Sequence, residues 1–342
     1  MSRANTLVEQ HGEAEPLGLV SIIIPAYNAA PYIKETLDSV FAQSYPHYQV
    51  IVINDGSPDT PELELTLAPY LKRVIYITHE TNHGPNGARN TGLRHAASEF
   101  VALLDSDDIW LPNYLAEQVH FLRERPEYDL VYCNARFFGD SIYTGKEYMD
   151  VCPSNGEATS LAIIARQCHV FVSVLARKEA LLSVGFDESF RRSEDFECWI
   201  RFTAAGHRIG YQRKVLVLYR RHAESNSANP ITMAQENIRV LTKSISLWDE
   251  NSRETRCLLQ QKAEKEADME RLQGKLALRL EDFAAAGAHF QRANGYFRSA
   301  KLSCLVALVT ILPRLVRTAY RLRGRLVRAH RDLDLSLGKK SG

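Results

Sequence analysis

The chain has 342 residues, 45% hydrophobic and 24% charged, which is typical of a globular protein with one large domain and a smaller one, or with two to three small ones. Its formal net charge is +1, so the overall composition does not favour nucleic acid as a partner. The six cysteines are scattered without a C-x-x-C pair, which indicates ordinary buried thiols in a reducing compartment.

The two ends of the chain bear on its location. Residues 1–17 are polar and predict a disordered lead-in, and without an apolar stretch they are not expected to act as a signal peptide. The best apolar run, at 302–312, has eleven residues, whereas a membrane-spanning helix needs about 20. We therefore expect the protein to be made and kept in the cytoplasm.

Apolar runs and helical patterns alternate in the first third of the chain. Runs at 20–24, 50–53, 74–77 and 100–104 predict buried strands, and the segments between them carry apolar residues at helical spacing. This alternation predicts an α/β fold with a mostly parallel sheet and helices on both faces. Ligands bind at the carboxyl ends of the strands in such sheets.

Polar residues follow the first two predicted strands. Tyr27 and Asn28 come after Pro25, where an aromatic ring can stack on a base and an amide can bind a base or ribose. Asp55 follows the second strand in the sequence Asn-Asp-Gly-Ser. Turn chemistry explains Asn28 and Asp55 equally well, so both interpretations stay open at this point.

A glycine-rich segment, 84–92, leads into a helix after the third strand. Such a loop can hold phosphate at the helix N-terminus, and Arg89 adds a guanidinium suited to a diphosphate. The spacing matches neither a Walker loop nor the dinucleotide fingerprint.

The fourth strand ends in an acidic cluster, Asp105-Ser106-Asp107-Asp108. Three neighbouring carboxylates repel one another, and a divalent cation such as Mg²⁺ or Mn²⁺ would relieve that repulsion together with diphosphate oxygens. If the strand persists, Asp105 and Asp107 share one face and Asp108 points away. The alternative is an acidic turn that caps the next helix.

Further along, strands are predicted at 130–132 and 209–219, an irregular loop at 139–160, and helices at 161–166, 178–184 and 193–205. Glu194 and Asp195 begin the last of these helices, where acids favour the helix dipole or, alternatively, provide a general base. His222 ends the run Arg-Arg-His, which either binds phosphate or metal or is a solvated strand end.

The C-terminal third is rich in helix-forming residues. Residues 231–297 predict two or three helices with an apolar stripe at Leu272, Leu276, Leu280 and Phe283. From residue 314 to 331 there are seven arginines and no acid, interleaved with apolar residues. This amphipathic basic pattern predicts either binding to an anionic membrane surface or a helix packed on its own domain.

Five motifs in this order resemble the inverting nucleotide-sugar glycosyltransferases of family 2, which have the GT-A fold. They cover about two thirds of the chain, and they are Val20 to Asn28, Asn54 to Ser57, Asn82 to Gly92, Asp105 to Asp108, and Glu194-Asp195. The family often has a second Asp where this chain has Asn54.

The resemblance implies a role for each candidate residue. The nucleotide-sugar set is Pro25, Tyr27, Asn28, Asp55, Arg89, Asp105 and Asp107. Asp108 would be the main ligand of Mn²⁺ or Mg²⁺, with Asp107 and His222 as further candidates, and Asp195 would be the general base with Glu194 beside it.

These inferences combine into one prediction. The chain would comprise a lead-in (1–17), a GT-A domain (18–225), a helical appendage (230–298) and a membrane-associating segment (299–342). It would transfer a sugar, with UDP as the nucleotide expected for the family, to a glycan or lipid-linked acceptor in surface polysaccharide synthesis, at the inner face of the plasma membrane. The alternatives are transfer to a polyprenyl phosphate, or a catalytically silent module that binds nucleotide sugars.

Overall fold

A computed structural model describes residues 18–154, 157–222 and 229–313. Within them, residues 18–222 and 239–259 form one compact unit, and residues 229–238 and 260–313 form a second. The division differs from the predicted boundary near residue 230, because 239–259 belongs with the first unit. The predicted lead-in, 1–17, and the arginine-rich residues 314–331 lie outside the described residues.

Four parallel strands form one half of an eight-stranded sheet and confirm the four predicted first. They are β1 (Val20–Ala26), β2 (Tyr48–Asn54), β3 (Ile75–Thr78) and β4 (Phe100–Leu103), in the spatial order β3-β2-β1-β4. β1 continues past the predicted end at Pro25. Proline has no N–H to donate, but the nitrogen of Pro25 is on the side of β4, where no partner strand needs it. β4 has already ended at Leu103, which pairs with Ile23.

The other half of the sheet is mixed rather than parallel. Its strands are β5 (Ile109–Trp110), β6 (Leu130–Gly139), β7 (Val174–Arg177) and β8 (Ile209–Arg221). They continue the order as β4-β7-β6-β8-β5, with antiparallel pairing everywhere except between β6 and β8. β5 and β7 were not predicted, because runs of two and four residues carry too little periodicity.

Eight helices of the first unit precede or connect these strands. They are α1 (Ile33–Phe41), α2 (Thr60–Leu67), α3 (Gly84–His95), α4 (Tyr114–Glu124), α5 (Tyr148–Val151), α6 (Ser160–Ile164), α7 (Lys178–Val184) and α8 (Glu194–Ala204). The helical spacing predicted between the first two strands is confirmed in α1, where Ile33, Leu37 and Val40 are fully buried. α3 needs glycine at Gly92, where a Cβ would lie 2.4 Å from Cγ2 of Ile23.

The remaining helices are α9 (Pro230–Ser244), α10 (Arg253–Arg279), α11 (Phe283–Phe297) and α12 (Ala300–Ile311). In the second unit a small core contains Ala277, Leu278, Ala286, Phe290 and Val309. The predicted stripe is wrong in part, because Leu276 and Leu280 are 43% and 72% exposed and the helix turns Ala277 and Leu278 inward instead. Every helix of the described ranges is too short or too polar to cross a membrane.

Candidate active site

The acidic loop, Asp105 to Asp108, follows β4 at the carboxyl edge of the parallel half-sheet. Thr36 of α1 holds it in shape, with its hydroxyl 2.8 Å from the carbonyl oxygens of both Ser106 and Asp108. The backbone turns here, and the N–H of Asp108 bonds the carbonyl of Asp105. Because the strand has ended, the alternation of a strand does not apply and the three carboxylates point in three directions.

Asp105 points to Arg89, which is only 2% exposed. Nη2 of Arg89 lies 2.9 Å from Oδ1 of Asp105, and Nη1 lies 3.1 Å from Oε1 of Glu194. Burial opposes the charge of Arg89, but the two carboxylates outweigh burial and raise its pKa above the ordinary value. Both ends of the guanidinium are thus occupied by protein, so it ties the acidic loop to α8 and does not offer the fork predicted for a diphosphate.

Asp107 points the other way, toward the end of β8. Its Oδ2 lies 3.0 Å from Nε2 of His222, and the two side chains remain 26% and 20% exposed. The His222 ring stacks on Tyr32, with 4.8 Å between ring centroids. Burial and the charge of Asp105 raise the pKa of Asp107, while the contact with His222 opposes that rise.

Asp108 turns inward and has no exposed surface. Its Oδ1 accepts the backbone N–H of Arg220 at 2.9 Å, and Nε of Arg220 donates to the carbonyl of Asp107 at 2.7 Å. Burial and the neighbouring carboxylates raise the pKa of Asp108 well above its ordinary value. Oδ1 of Asp108 thus anchors β8 to the loop, whereas Oδ2 is buried without a hydrogen-bond partner among the described residues, so the role of Asp108 as the main metal ligand stays a prediction.

Asp55 lies at the end of β2 and is 2% exposed. Its Oδ1 accepts the N–H of His83 at 2.9 Å and lies 2.7 Å from Nδ1 of His79. The other ring nitrogen of His79 is hydrogen-bonded to Thr91 at 2.9 Å. His79 was not indicated by any motif or spacing in the sequence. Its ring orients the Asp55 carboxylate through this contact.

Asn54 and the glycine-rich segment both have structural roles here. Oδ1 of Asn54 accepts the N–H of Ser57, closing a turn in which Gly56 has a φ of +61°. At the start of α3, the N–H of Gly84 donates to Oδ1 of Asn82, and the N–H of His83 donates to Oδ1 of Asp55. The N–H groups of His83 and Gly84 are therefore occupied by protein and are not available to a phosphate.

Tyr27 and Asn28 lie at the rim of this edge. Tyr27 is 46% exposed, so one face of its ring is accessible to a planar group. Asn28 adopts a φ of +51°, and its N–H donates to the hydroxyl of Ser57 at 2.8 Å. Pro25 is half-buried inside β1. The hydrogen bond between Asn28 and Ser57 fixes the loop after β1 to the loop after β2.

Asp195 and Glu194 form the first turn of α8, whose apolar side is buried through Phe196, Trp199 and Phe202. Oδ1 of Asp195 accepts the N–H of Phe196 at 2.7 Å. Burial raises the pKa of Asp195, and that of Glu194 to about 7, while the charge of Arg89 opposes both shifts. Asp195 is half-buried, and a carboxylate in this position is chemically able to accept a proton.

The donor atoms suit a metal that is shared with a substrate. Among the described residues, no three His, Cys, Asp or Glu side chains converge to hold an ion alone. Asp107 and His222 are nevertheless adjacent and partly exposed. Mg²⁺ and similar cations are commonly held by one or two carboxylates plus substrate phosphates, so this pair fits such an ion.

Comparisons with known proteins agree with this arrangement. The family described as Glycosyl transferase family 2 matches residues 21–179. An uncharacterized glycosyltransferase of Rickettsia prowazekii is 30% identical over 226 residues, 64% of this chain and 69% of its own length. The chain spans only 38% of a longer uncharacterized glycosyltransferase of Rickettsia felis.

An Escherichia coli relative, UDP-Glc:alpha-D-GlcNAc-diphosphoundecaprenol beta-1,3-glucosyltransferase WfaP, is 31% identical over 62% of this chain and 80% of its own. The chain therefore belongs to glycosyltransferase family 2, and it is a glycosyltransferase. A mannosyltransferase from Pyrobaculum calidifontis, solved with GDP-Man and Mn²⁺, has a TM-score of 0.59 at 22% identity, covering 92% of this chain and 86% of its own. That likeness establishes the GT-A fold.

Proposed function

We propose that this protein is an inverting, metal-dependent transferase that moves a sugar from a nucleotide diphosphate sugar to a hydroxyl group of a glycan or lipid-linked acceptor. One observation carries the proposal: Arg89 ties the acidic loop to α8, which brings the Asp107–His222 pair and Asp195 to one edge of the sheet. A metal position and a base are thereby held in the same site.

Asp107 and His222 would hold Mn²⁺ or Mg²⁺, whereas Asp108 positions the loop. When bound, the ion neutralises the charge that develops on the diphosphate leaving group. This assignment departs from the expected role of Asp108 because the carboxylate of Asp108 is fully buried, whereas Asp107 and His222 are adjacent and partly exposed. Arg220 keeps the pair in place by bonding the backbone of Asp107.

Asp195 would take the proton of the acceptor hydroxyl as its oxygen attacks the anomeric carbon. The new carbon–oxygen bond forms as the bond to the diphosphate breaks, so a single displacement inverts that carbon. Arg89 and Arg166 lower the pKa of Asp195 against the effect of burial, which favours the ionised carboxylate that a base requires.

The nucleobase would lie between Tyr27 and the Asp55 carboxylate, which His79 orients. A UDP-sugar is the donor we favour, supported by the donor that the name of the E. coli relative states. The structural neighbour from Pyrobaculum calidifontis was solved with GDP-Man, so the nucleobase of the donor is to be determined by experiment. The same E. coli name supports a sugar on a lipid diphosphate as acceptor, in surface polysaccharide synthesis.

We further propose attachment to the inner face of the plasma membrane through the C-terminal segment. Supporting features are an apolar outer face on α12, where Leu308, Ile311 and Leu312 are 47%, 72% and 42% exposed, and the arginine-rich sequence that follows. Deletion of residues 314–342 should abolish cosedimentation with anionic vesicles. Unchanged cosedimentation would refute the attachment. The deletion begins after α12 because Val309 of that helix completes a core with Phe290. A deletion that began at residue 295 would also remove part of this core.

The catalytic proposal is tested with a panel of nucleotide sugars in the presence of Mn²⁺ or Mg²⁺. A matching donor should raise the melting temperature and be hydrolysed slowly in a metal-dependent reaction. Asp195→Asn should retain the thermal shift and lose transfer by about 10²–10⁴-fold. The proposal fails if no nucleotide diphosphate stabilises the protein. A donor that binds without any turnover would indicate a silent binding module.

A further inference from the structure

Arg166 lies beside the proposed base and has no role in the site described so far. Its guanidinium carbon is 4.6 Å from the ring centroid of Phe196, the residue that follows Asp195 on α8. The side chain is half-buried, and its charge lowers the pKa of Asp195. Arg166 therefore lies beside the first turn of α8, which carries the proposed base.

The guanidinium of Arg166 differs from those of Arg89, Arg201 and Arg220 in that it forms no ion pair with a carboxylate of the described residues. Arg89 pairs with Asp105 and Glu194, Arg201 with Glu197, and Arg220 with Glu35. In the part of the chain that the structure describes, Arg166 makes no ion pair and donates no side-chain hydrogen bond. A half-buried charge without a partner is unfavourable unless a ligand supplies the opposite charge.

The backbone of Arg166 directs the side chain toward this position. Its φ is +58°, a left-handed conformation that normally selects glycine after a helix. The residue closes the end of α6, where its N–H bonds Ile163 and the N–H of Gln167 bonds Ala162. α6 is in turn joined to α8 by a hydrogen bond of 2.9 Å between Ser160 and Thr203.

The charge of Arg166 acts on two further groups near the site. Burial raises the pKa of the Cys152 thiol, while the charges of Arg166 and Arg221 both oppose that shift. Burial also raises the pKa of Tyr148, and the charge of Arg166 opposes that shift. Tyr148 packs against Phe171 and Tyr219, with ring centroids 4.9 and 6.0 Å apart. A guanidinium among aromatic rings keeps its charge and its fork of donors.

We propose that Arg166 binds a phosphate group of the acceptor, so that the enzyme is specific for an acceptor that carries phosphate near its accepting hydroxyl. The inference rests on the proposed function, in which Asp195 receives the hydroxyl proton. Guanidinium groups bind phosphate oxygens in a bidentate manner, which positions the acceptor as well as attracting it. A lipid diphosphate sugar supplies this chemistry, and so does a soluble sugar phosphate.

The test measures binding of farnesyl diphosphate and of inorganic pyrophosphate by calorimetry, with UDP and Mn²⁺ at saturation so that the donor site is filled. Wild type should bind at least one probe, and Arg166→Gln should weaken that binding about tenfold to a hundredfold. Arg166→Lys should lose less. Arg213→Gln removes an exposed arginine that also lies against a ring, 5.4 Å from Tyr211, and should change nothing.

Arg166→Gly separates binding from folding. Glycine relieves the left-handed backbone, so this variant should melt no lower than wild type and yet bind the probe as poorly as Arg166→Gln. Equal binding of the two probes supports recognition of phosphate alone, and tighter binding of farnesyl diphosphate supports a lipid-linked acceptor.

Three results would overturn the inference: no binding by wild type, equal binding by Arg166→Gln, or equal weakening by Arg213→Gln. UDP-sugar binding with Mn²⁺ is followed in the same samples. If it persists, only the role of Arg166 fails. If wild type binds no nucleotide sugar, both the proposed function and the acceptor assignment fail.

Discussion

The two sides of the acidic loop differ in what surrounds them. On one side Arg89, whose side chain is only 2% exposed, pairs with Asp105 and Glu194, which are 32% and 13% exposed, and these three residues form an arginine-centred cluster. On the other side Asp107 and His222 form an open pair without a buried cation, and a quarter to a fifth of each side chain is exposed. One loop thus joins two distant parts of the chain and still leaves a carboxylate accessible. The arginine-centred cluster is suited to hold the site together and the open pair to bind a ligand.

Arg89→Met should have the largest effect, because it removes the buried cation of the arginine-centred cluster and leaves Asp105 and Glu194 without it. Removing one partner of a buried ion pair costs about 3–5 kcal/mol of folding stability. Urea denaturation of this variant measures the loss, with Arg213→Met as the exposed control. If Arg89→Met unfolds like wild type and only UDP binding weakens, Arg89 is a nucleotide ligand and the contrast between the two sides is wrong.

Asp107→Asn should separate ligand binding from folding. We expect Mn²⁺-dependent turnover to fall about a hundredfold, because metal ligation contributes several kcal/mol, while the melting temperature stays close to that of wild type. Asp108→Ala should instead lose about 1–3 kcal/mol of stability by leaving the N–H of Arg220 buried without an acceptor. If metal binding is lost only in Asp108→Ala, the metal ligand is Asp108 and not Asp107.

His222→Gln tests the second member of the open pair. We expect the apparent affinity for Mn²⁺ in the presence of UDP to fall about tenfold, since such changes near a metal typically cost 10–100-fold. Tyr32→Leu is a matched control, because it removes the ring stacked on His222 but no ligand atom. A loss in Tyr32→Leu as large as in His222→Gln would mean that His222 supports the loop through packing alone.

Glu194→Gln should have the smallest effect, and it depends on pH. The pKa of Glu194 is raised by burial to about 7, above its ordinary 4.5, so the folded protein holds this proton more firmly than the unfolded chain. Its contribution to stability is present below pH 4.5 and is lost as the pH rises through 7.

The melting temperature of wild type should therefore fall relative to that of Glu194→Gln between pH 5 and 8. A constant difference between the two proteins across that range would contradict the raised pKa.

Strongly periodic segments were predicted well, and short ones were not. The parallel strands and α1 follow from continuous apolar runs and helical spacing, which local side chains encode directly. β5, with two residues, pairs with β8 over Leu218 and Val217, more than a hundred positions away. Helix α4 was missed although it buries Leu115, Val119 and Leu122 at helical spacing, a signal present in the sequence.

The site shows the same division. Asp55, Asp105, Asp107 and Asp195 were singled out because they directly follow strands or open a helix, and their predicted roles came from the family resemblance. His79 had no local signal, and neither did Arg166, which contacts Phe196 on another helix. Arg220 stood next to His222 in a run that was noted, yet its bonds to the acidic loop required the pairing of β5 with β8.

By itself, the sequence determined the family, the α/β fold and the set of carboxylates, because these depend on residue types and on their order along the chain. Only the tertiary structure decided what each carboxylate does. Direction and burial distinguish Asp105, Asp107 and Asp108, three acids within four positions, and both are set by contacts with Arg89, His222 and Arg220. Such contacts arise only when β8 and α8 pack beside the loop, so no local pattern encodes them.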